Sequence, residues 1–192
     1  MFLKSLVGFL VGLSLAGAAF ALDDSDVLVV EVEGEANGTI EIELLPDVAP
    51  EHAARLATLA EEGAYDGVVF HRVIGGFMAQ TGDVEFGTEE LFSSGRAGTG
   101  GSPYPDLPAE FSDIPFDKGV VGMARAQNPD SANSQFFIMF DEGYFLNGQY
   151  TVVGRVISGQ DVVDAIKKGD GPNGTVTSEP DVMTRVYIKG VE

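Results

Sequence analysis

Two short segments carry the residue types best suited to chemistry. The first is Phe70-His71-Arg72-Val73-Ile74-Gly75-Gly76-Phe77-Met78-Ala79-Gln80-Thr81-Gly82-Asp83. Strand alternation puts Arg72 on one face with Phe70 and Ile74. A cation on an apolar face is either paired, functional, or long enough to carry its head to solvent. Beyond the Gly75-Gly76 bend, Gln80 can return to hold the guanidinium. A held guanidinium is a fixed fork of N–H donors. It suits reactions in which charge or a lone pair develops in the transition state. The second segment is Gly122-Met123-Ala124-Arg125-Ala126, followed by Ser134-Gln135-Phe136-Phe137-Ile138. Taken alone it reads as an ordinary buried strand with phenylalanines in the core.

Other catalytic sets are missing. No G-x-S-x-G elbow occurs. Gly98-Thr99-Gly100-Gly101 is glycine-rich but lacks the Lys-Ser/Thr pair of a phosphate loop. His52 and His71 do not form H-E-x-x-H, and residues 170–181 depart from the calcium-loop pattern. There is no cysteine, which excludes thiolate nucleophiles, disulfides and Cys-ligated zinc. Two sequons, at Asn37 and Asn173, are more simply Asn-Gly turns.

The elements that must position these residues are mostly strands. Residues 27–33 and 39–44 alternate around Asn37-Gly38, a strong hairpin signal, with one face expected wet. Residues 50–63 read as a helix opened by Pro50 and closed by Gly63, with Ala53, Leu56, Leu59 and Ala60 on one face. Residues 68–73, 119–123, 135–140, 150–157 and 183–189 are further strand candidates. A short helix over 161–168 turns Val162, Val163 and Ile166 inward and places Lys167-Lys168 at its C-terminus. Residues 86–116 are crowded with Gly and Pro and read as a long surface excursion. Many short strands, two helices and no βαβ alternation imply an antiparallel barrel or sandwich in a single domain.

The N-terminus reads as an export signal. Lys4 precedes an apolar stretch, and Ala19-Phe20-Ala21 forms a cleavage site ahead of Asp23-Asp24. Residues 1–21 are therefore expected to leave, and residues 22–192 to form the mature domain. Lys4 is the only charged residue lost, so the formal charge of −19 becomes −20. Such a surface repels nucleic acid and anionic membranes and favours solubility.

Together the two segments resemble the signature of the cyclophilin family of peptidyl-prolyl cis/trans isomerases. Phe70-His71-Arg72, Gly76-Phe77-Met78, Gln80 and Gly82-Asp83 match its F-H-R…G-F-M-x-Q-x-G-D run. Gly98-Thr99-Gly100-Gly101, Met123-Ala124, Ser134-Gln135-Phe136-Phe137, Phe145-Leu146-Asn147-Gly148 and Val153-Gly154 follow in the family's order. The likeness runs from about residue 27 to 191. It implies a mainly β fold, a closed eight-stranded antiparallel barrel capped by two α-helices. It implies that Arg72 is catalytic and that Gln80 orients it. Phe77, Met78, Phe137 and Leu146 would wall a pocket for the substrate proline ring. Ala124 and Arg125 would form the strand edge that pairs with substrate backbone, and Phe145 and Tyr150 would complete the rim. Neither cofactor nor metal is required. The partners are proline-containing polypeptides met by a monomer in the periplasm.

Two departures bear on ligands. Phe145 stands where many eukaryotic cyclophilins carry Trp, and Tyr150 where they often carry His. Both weaken the expectation of tight cyclosporin binding. Gly75 and Thr81 also differ from the commonest residues. Two alternatives stay open at this level: a proline-segment-binding chaperone with little turnover, and a barrel holding a small apolar ligand in its interior.

Overall fold

The Asn37-Gly38 signal produces a hairpin of β1 (Val27–Glu33) and β2 (Gly38–Leu44), with Val32 opposite Gly38 and Val27 opposite Glu43. The Asn37 amide closes the turn by donating to the Gly34 carbonyl at 2.8 Å. The expected wet face is narrower than alternation suggests, because Val27 and Val29 are buried along with Leu28 and Val30. Val29 lies between Glu41 and Tyr187 across the sheet, and the stems of such long side chains cover apolar neighbours.

Helix α1 (Pro50–Glu61) starts with proline in its first turn and buries His52, Ala53, Leu56, Leu59 and Ala60. Its open N–H groups are capped from far away. The Glu110 carboxylate accepts from the backbone of Glu51 at 3.2 Å and of His52 at 3.1 Å, and also contacts His52 Nδ1 at 2.6 Å.

The computed structural model describes residues 26–191; the export signal assigned to residues 1–21 lies outside them. After α1 the chain forms β3 (Val68–Val69), β4 (Arg72–Ile74), β5 (Met78–Thr81), β6 (Val120–Met123), β7 (Phe136–Met139) and β8 (Val152–Ser158). Helix α2 (Gln160–Ala165) and β9 (Val182–Ile188) complete it. One sheet of nine strands runs in the order β3-β9-β1-β2-β8-β6-β7-β5-β4, with every pairing antiparallel.

This corrects the closed eight-stranded barrel. The single strand expected over 68–73 breaks at Phe70-His71 into β3 and β4, and β5, which was not among the seven strand candidates, brings the total to nine. There the backbone leaves the ladder: Phe70 N–H donates to the Asp181 carbonyl and the His71 carbonyl accepts from Val176 N–H. The two ends of the strand order, β3 and β4, are thus neighbours in the chain. The sheet curls round and is joined by a covalent link, not by a ladder.

Helix α2 is also shorter than expected and stops before the lysines. Lys168 still serves the helix end, donating to the carbonyls of Asp164 and Ile166 at 2.8 and 2.6 Å. Val163 and Ile166 are buried as the periodicity required. The interior of the curled sheet is filled by a large apolar cluster including Leu28, Ile40, Ile42, Leu56, Phe70, Val121, Phe136 and Ile138. A smaller cluster of Met78, Phe116, Val120, Phe137, Met139, Leu146 and Val152 lies outside it. Among the described residues no helix is long and apolar enough to cross a membrane.

Candidate active site

The smaller cluster is the floor of a surface pocket, and cross-strand register builds its centre. Chain reversal after Ile74, with Phe77 N–H donating to the Ile74 carbonyl, sets Arg72 directly opposite Gln80. Gln80 lies opposite Phe137 on β7, and Phe137 opposite Gly122 on β6. One row across four strands therefore reads Arg72, Gln80, Phe137, Gly122. Glycine is required at the last position because a Cβ there would lie 2.4 Å from the Phe137 ring and 2.7 Å from Phe116.

Arg72 is not on the core face that simple alternation assigned. The break at Phe70-His71 turns Phe70 into the interior cluster, while Ile74 packs with the outer one. Arg72 is consequently half-buried at the pocket, where its head reaches polar partners. It donates through NH1 to Gln80 Oε1 at 3.1 Å. Nε donates to the Asn173 carbonyl and NH2 to Asn173 Oδ1, each at 3.1 Å. Gln80 Nε2 donates in turn to Gln135 Oε1 at 2.9 Å, and Gln135 Nε2 to the Gly100 carbonyl at 2.8 Å. Desolvation lowers the pKa of Arg72 from its ordinary value, and the nearby Tyr150 opposes that shift.

The apolar walls come from three places. Met78 on β5 and Phe137 on β7 are buried, with Phe137 stacked on Phe116 at 5.8 Å between centroids. A 3-10 turn, Tyr144–Leu146, delivers buried Leu146 and exposes Phe145, which is 67% accessible and leans on Phe77 at 5.3 Å. Tyr150 meets Phe137 edge-on at 5.8 Å and lies under the Arg125 guanidinium, 4.4 Å away. Arg125 is tied there by bonds to the carbonyls of Gln149, Ala126 and Gln127.

Arg72, Phe77, Met78, Gln80, Ala124, Arg125, Phe137, Phe145, Leu146 and Tyr150 all line this one pocket of about 260 Å³. These are the ten residues singled out from the sequence. Ala124 and Arg125 lie just beyond the end of β6, and the Ala124 N–H is taken by the Gln135 carbonyl at 2.9 Å. The Arg125 N–H and C=O have no backbone partner among the described residues. A larger, more polar groove of about 510 Å³ adjoins the pocket, sharing Gln80, Ala124 and Arg125 and bordered by 98–102, Asn133 and Gln135.

Three supporting residues were given no role in the sequence analysis. Gln135 stands two positions before Phe137 and was quoted there only as part of a motif block, as was Asp83. Asn173 is 101 residues from Arg72 and was visible only as a turn former. Asp83 is fully buried and anchors the long excursion: its carboxylate accepts from the N–H groups of Glu85, Phe86, Gly98 and Gly100. Among the described residues, neither ring nitrogen of buried His71 makes a hydrogen bond of good geometry, although the Val69 backbone and the Gln135 side chain act on it. Burial holds its pKa down to about 4, against the pull of Asp83.

The chain from residue 27 to 190 matches the family model described as cyclophilin type peptidyl-prolyl cis-trans isomerase/CLD. A probable peptidyl-prolyl cis-trans isomerase of Brucella suis biovar 1 is 56% identical over 172 residues, covering 89% of this chain and 86% of the relative. Peptidyl-prolyl cis-trans isomerase B of Bacillus subtilis is 39% identical over 157 residues, covering 81% and 94%. Among solved structures, a cyclophilin from Hirschia baltica superposes with a TM-score of 0.71 at 26% identity, covering 87% of this chain and 75% of that one. A Cryptosporidium parvum cyclophilin-type isomerase, crystallised in the presence of the dipeptide Ala-Pro, gives 0.71 at 23% identity and shares the fold, covering 86% and 99%.

Proposed function

This chain belongs to the cyclophilin-type peptidyl-prolyl cis-trans isomerase family, and from that premise we infer that it turns Xaa-Pro bonds in exported polypeptides with Arg72 as its catalytic group. One observation carries the assignment of the site: a guanidinium held at three nitrogens stands at the edge of a 260 Å³ apolar pocket. Sites for drug-sized ligands occupy roughly 300–1,000 Å³. The smaller volume suits a single ring, as in proline. The Ala-Pro dipeptide of the Cryptosporidium structure is of that chemistry.

The physical task is to loosen an amide. Rotation about Xaa-Pro must break conjugation, with a barrier of ~18–20 kcal/mol, and uncatalysed exchange takes ~10–100 s. In the twisted state the proline nitrogen becomes pyramidal and carries a lone pair. Phe137, Met78 and Leu146 grip the ring, while Arg72 donates to that nitrogen. The interaction exists in the twisted state and not in either planar one, which is the condition for raising the rate. The apolar walls lower the local dielectric and strengthen it. Roughly 5–7 kcal/mol of such stabilisation brings exchange to milliseconds, at ~1.4 kcal/mol per tenfold. The free N–H and C=O of Arg125 pair with the substrate backbone and fix its direction. Gln80 keeps the guanidinium aimed. Nothing in this scheme requires a nucleophile or a metal.

The working form is a monomer of residues 22–192, released into the periplasm after cleavage behind Ala21. Exchange NMR on a short Xaa-Pro peptide tests the activity: accelerated cis/trans exchange is expected. Peptide binding without acceleration would leave a proline-binding chaperone instead. Intact mass of the exported protein tests the processing, and a mature species still starting at Met1 would overturn it.

A further inference from the structure

The turn Pro172–Gly174 belongs to no strand and to no part of the pocket wall. It nevertheless supplies two of the three bonds that hold Arg72. Resting on the reading of Arg72 as the catalytic group, we propose that Asn173 is a positioning residue, clamping the guanidinium from the edge of β4 away from Gln80.

Topology makes the clamp possible. β4 is the last strand of the sheet, so among the described residues one of its edges has no strand partner. Residues 169–176 cover that edge: Gly169 N–H donates to the Val73 carbonyl, Val176 N–H to the His71 carbonyl, and Thr175 bridges to Arg72. The approach is close. A Cβ on Gly174 would lie 2.4 Å from Ile74 Cγ1, and at φ 76 a side chain is disfavoured as well. Asn173 itself adopts φ 56, ψ 29, a left-handed conformation that asparagine tolerates better than most residues. In that conformation its backbone carbonyl and its side-chain Oδ1 both face the guanidinium. One accepts from Nε, the other from NH2, while Gln80 accepts from NH1.

An arginine offers five N–H donors. Three are committed, one on each nitrogen, which prevents rotation of the fork and leaves the other two for the substrate. With Gln80 alone, only NH1 would be restrained by a side chain. Small displacements of a catalytic group lower rates steeply. Asn173 thus acts on the reaction through Arg72 and not by touching the substrate.

Asn173→Gly isolates the side chain. Glycine accepts the left-handed backbone, so the carbonyl bond to Nε persists and only Oδ1 is lost. kcat/KM on one Xaa-Pro peptide and peptide Kd are measured for the wild type, Asn173→Gly, Arg72→Ala and the double variant, with thermal melts confirming folding. Losing one of three restraints should lower kcat/KM about 3- to 10-fold in the wild-type background, with peptide Kd within about twofold. In the Arg72→Ala background the same change should have almost no effect, because contacting residues are non-additive when one acts through the other. Equal losses in both backgrounds would show a general structural role and overturn the inference. Full activity of Asn173→Gly beside an impaired Arg72→Ala would overturn it while leaving the Arg72 reading intact. Full activity of Arg72→Ala would overturn both.

Discussion

Replacing Arg72 by alanine removes the donor assigned to the twisted amide and releases Gln80 and Asn173 together. The bonds to those two residues exist in the resting protein, so their loss bears on stability and not directly on rate. Gln80 is half-buried and Asn173 exposed, so water can replace the guanidinium at both. The stability change should stay within about 1 kcal/mol. The rate loss comes from the missing charged donor. A hydrogen bond to a charged group contributes ~1.5–3 kcal/mol, and at ~1.4 kcal/mol per tenfold that is about 10- to 150-fold in kcat/KM. Solvent access at half-buried Arg72 favours the lower part of that range. The walls formed by Met78, Phe137 and Leu146 are untouched, so peptide affinity should change little. Arg72→Lys should recover little, because an ammonium cannot satisfy Gln80, both Asn173 oxygens and the substrate with one planar fork. The assay is kcat/KM on one Xaa-Pro peptide, with Kd measured separately and circular dichroism confirming the fold. A folded Arg72→Ala protein within twofold of wild type would refute the mechanism and make the arginine structural.

Gly122→Ala should lower thermal stability by about 1–3 kcal/mol and weaken peptide binding, because the new methyl meets the rings of Phe137 and Phe116; an unchanged melting temperature would contradict the row of contacts. Stability should also fall as pH drops from about 6.5 to 4: His71 stays neutral in the fold down to about 4, whereas the unfolded chain takes up its proton near 6.5. The loss reaches about 3 kcal/mol at pH 4. Urea titrations at the two pH values should show a shallower dependence in His71→Gln, and identical slopes would remove His71 from the account. Phe145 is exposed and offers no indole N–H. Cyclosporin should therefore bind weakly and Phe145→Trp should tighten it about 5- to 10-fold, a hydrogen bond's worth; nanomolar calorimetric affinity in the unaltered protein would sink this.

Local rules were enough for much of the site. Alternation, together with a bend at Gly75-Gly76, already brought Gln80 back beside Arg72, and the two are opposite each other in the ladder. The hairpin at Asn37-Gly38 and the buried face of α1 were equally legible, because turn chemistry and periodicity act over a few residues. The motif blocks held eight of the ten pocket residues, and the family resemblance added Arg125 and Tyr150, without saying how they meet. Tertiary structure decided what those rules cannot reach. The break at Phe70-His71 came from the closing curl of the sheet, which draws Phe70 into the interior and leaves Arg72 outside; alternation alone continues a strand through it. Capping of α1 by Glu110 and the hold of Asn173 on Arg72 join groups 58 and 101 residues apart. Such contacts leave no local signature, since an Asn-Gly pair or a surface glutamate looks the same whatever lies across from it. They exist only once the sheet has curled and brought distant loops against its last edge.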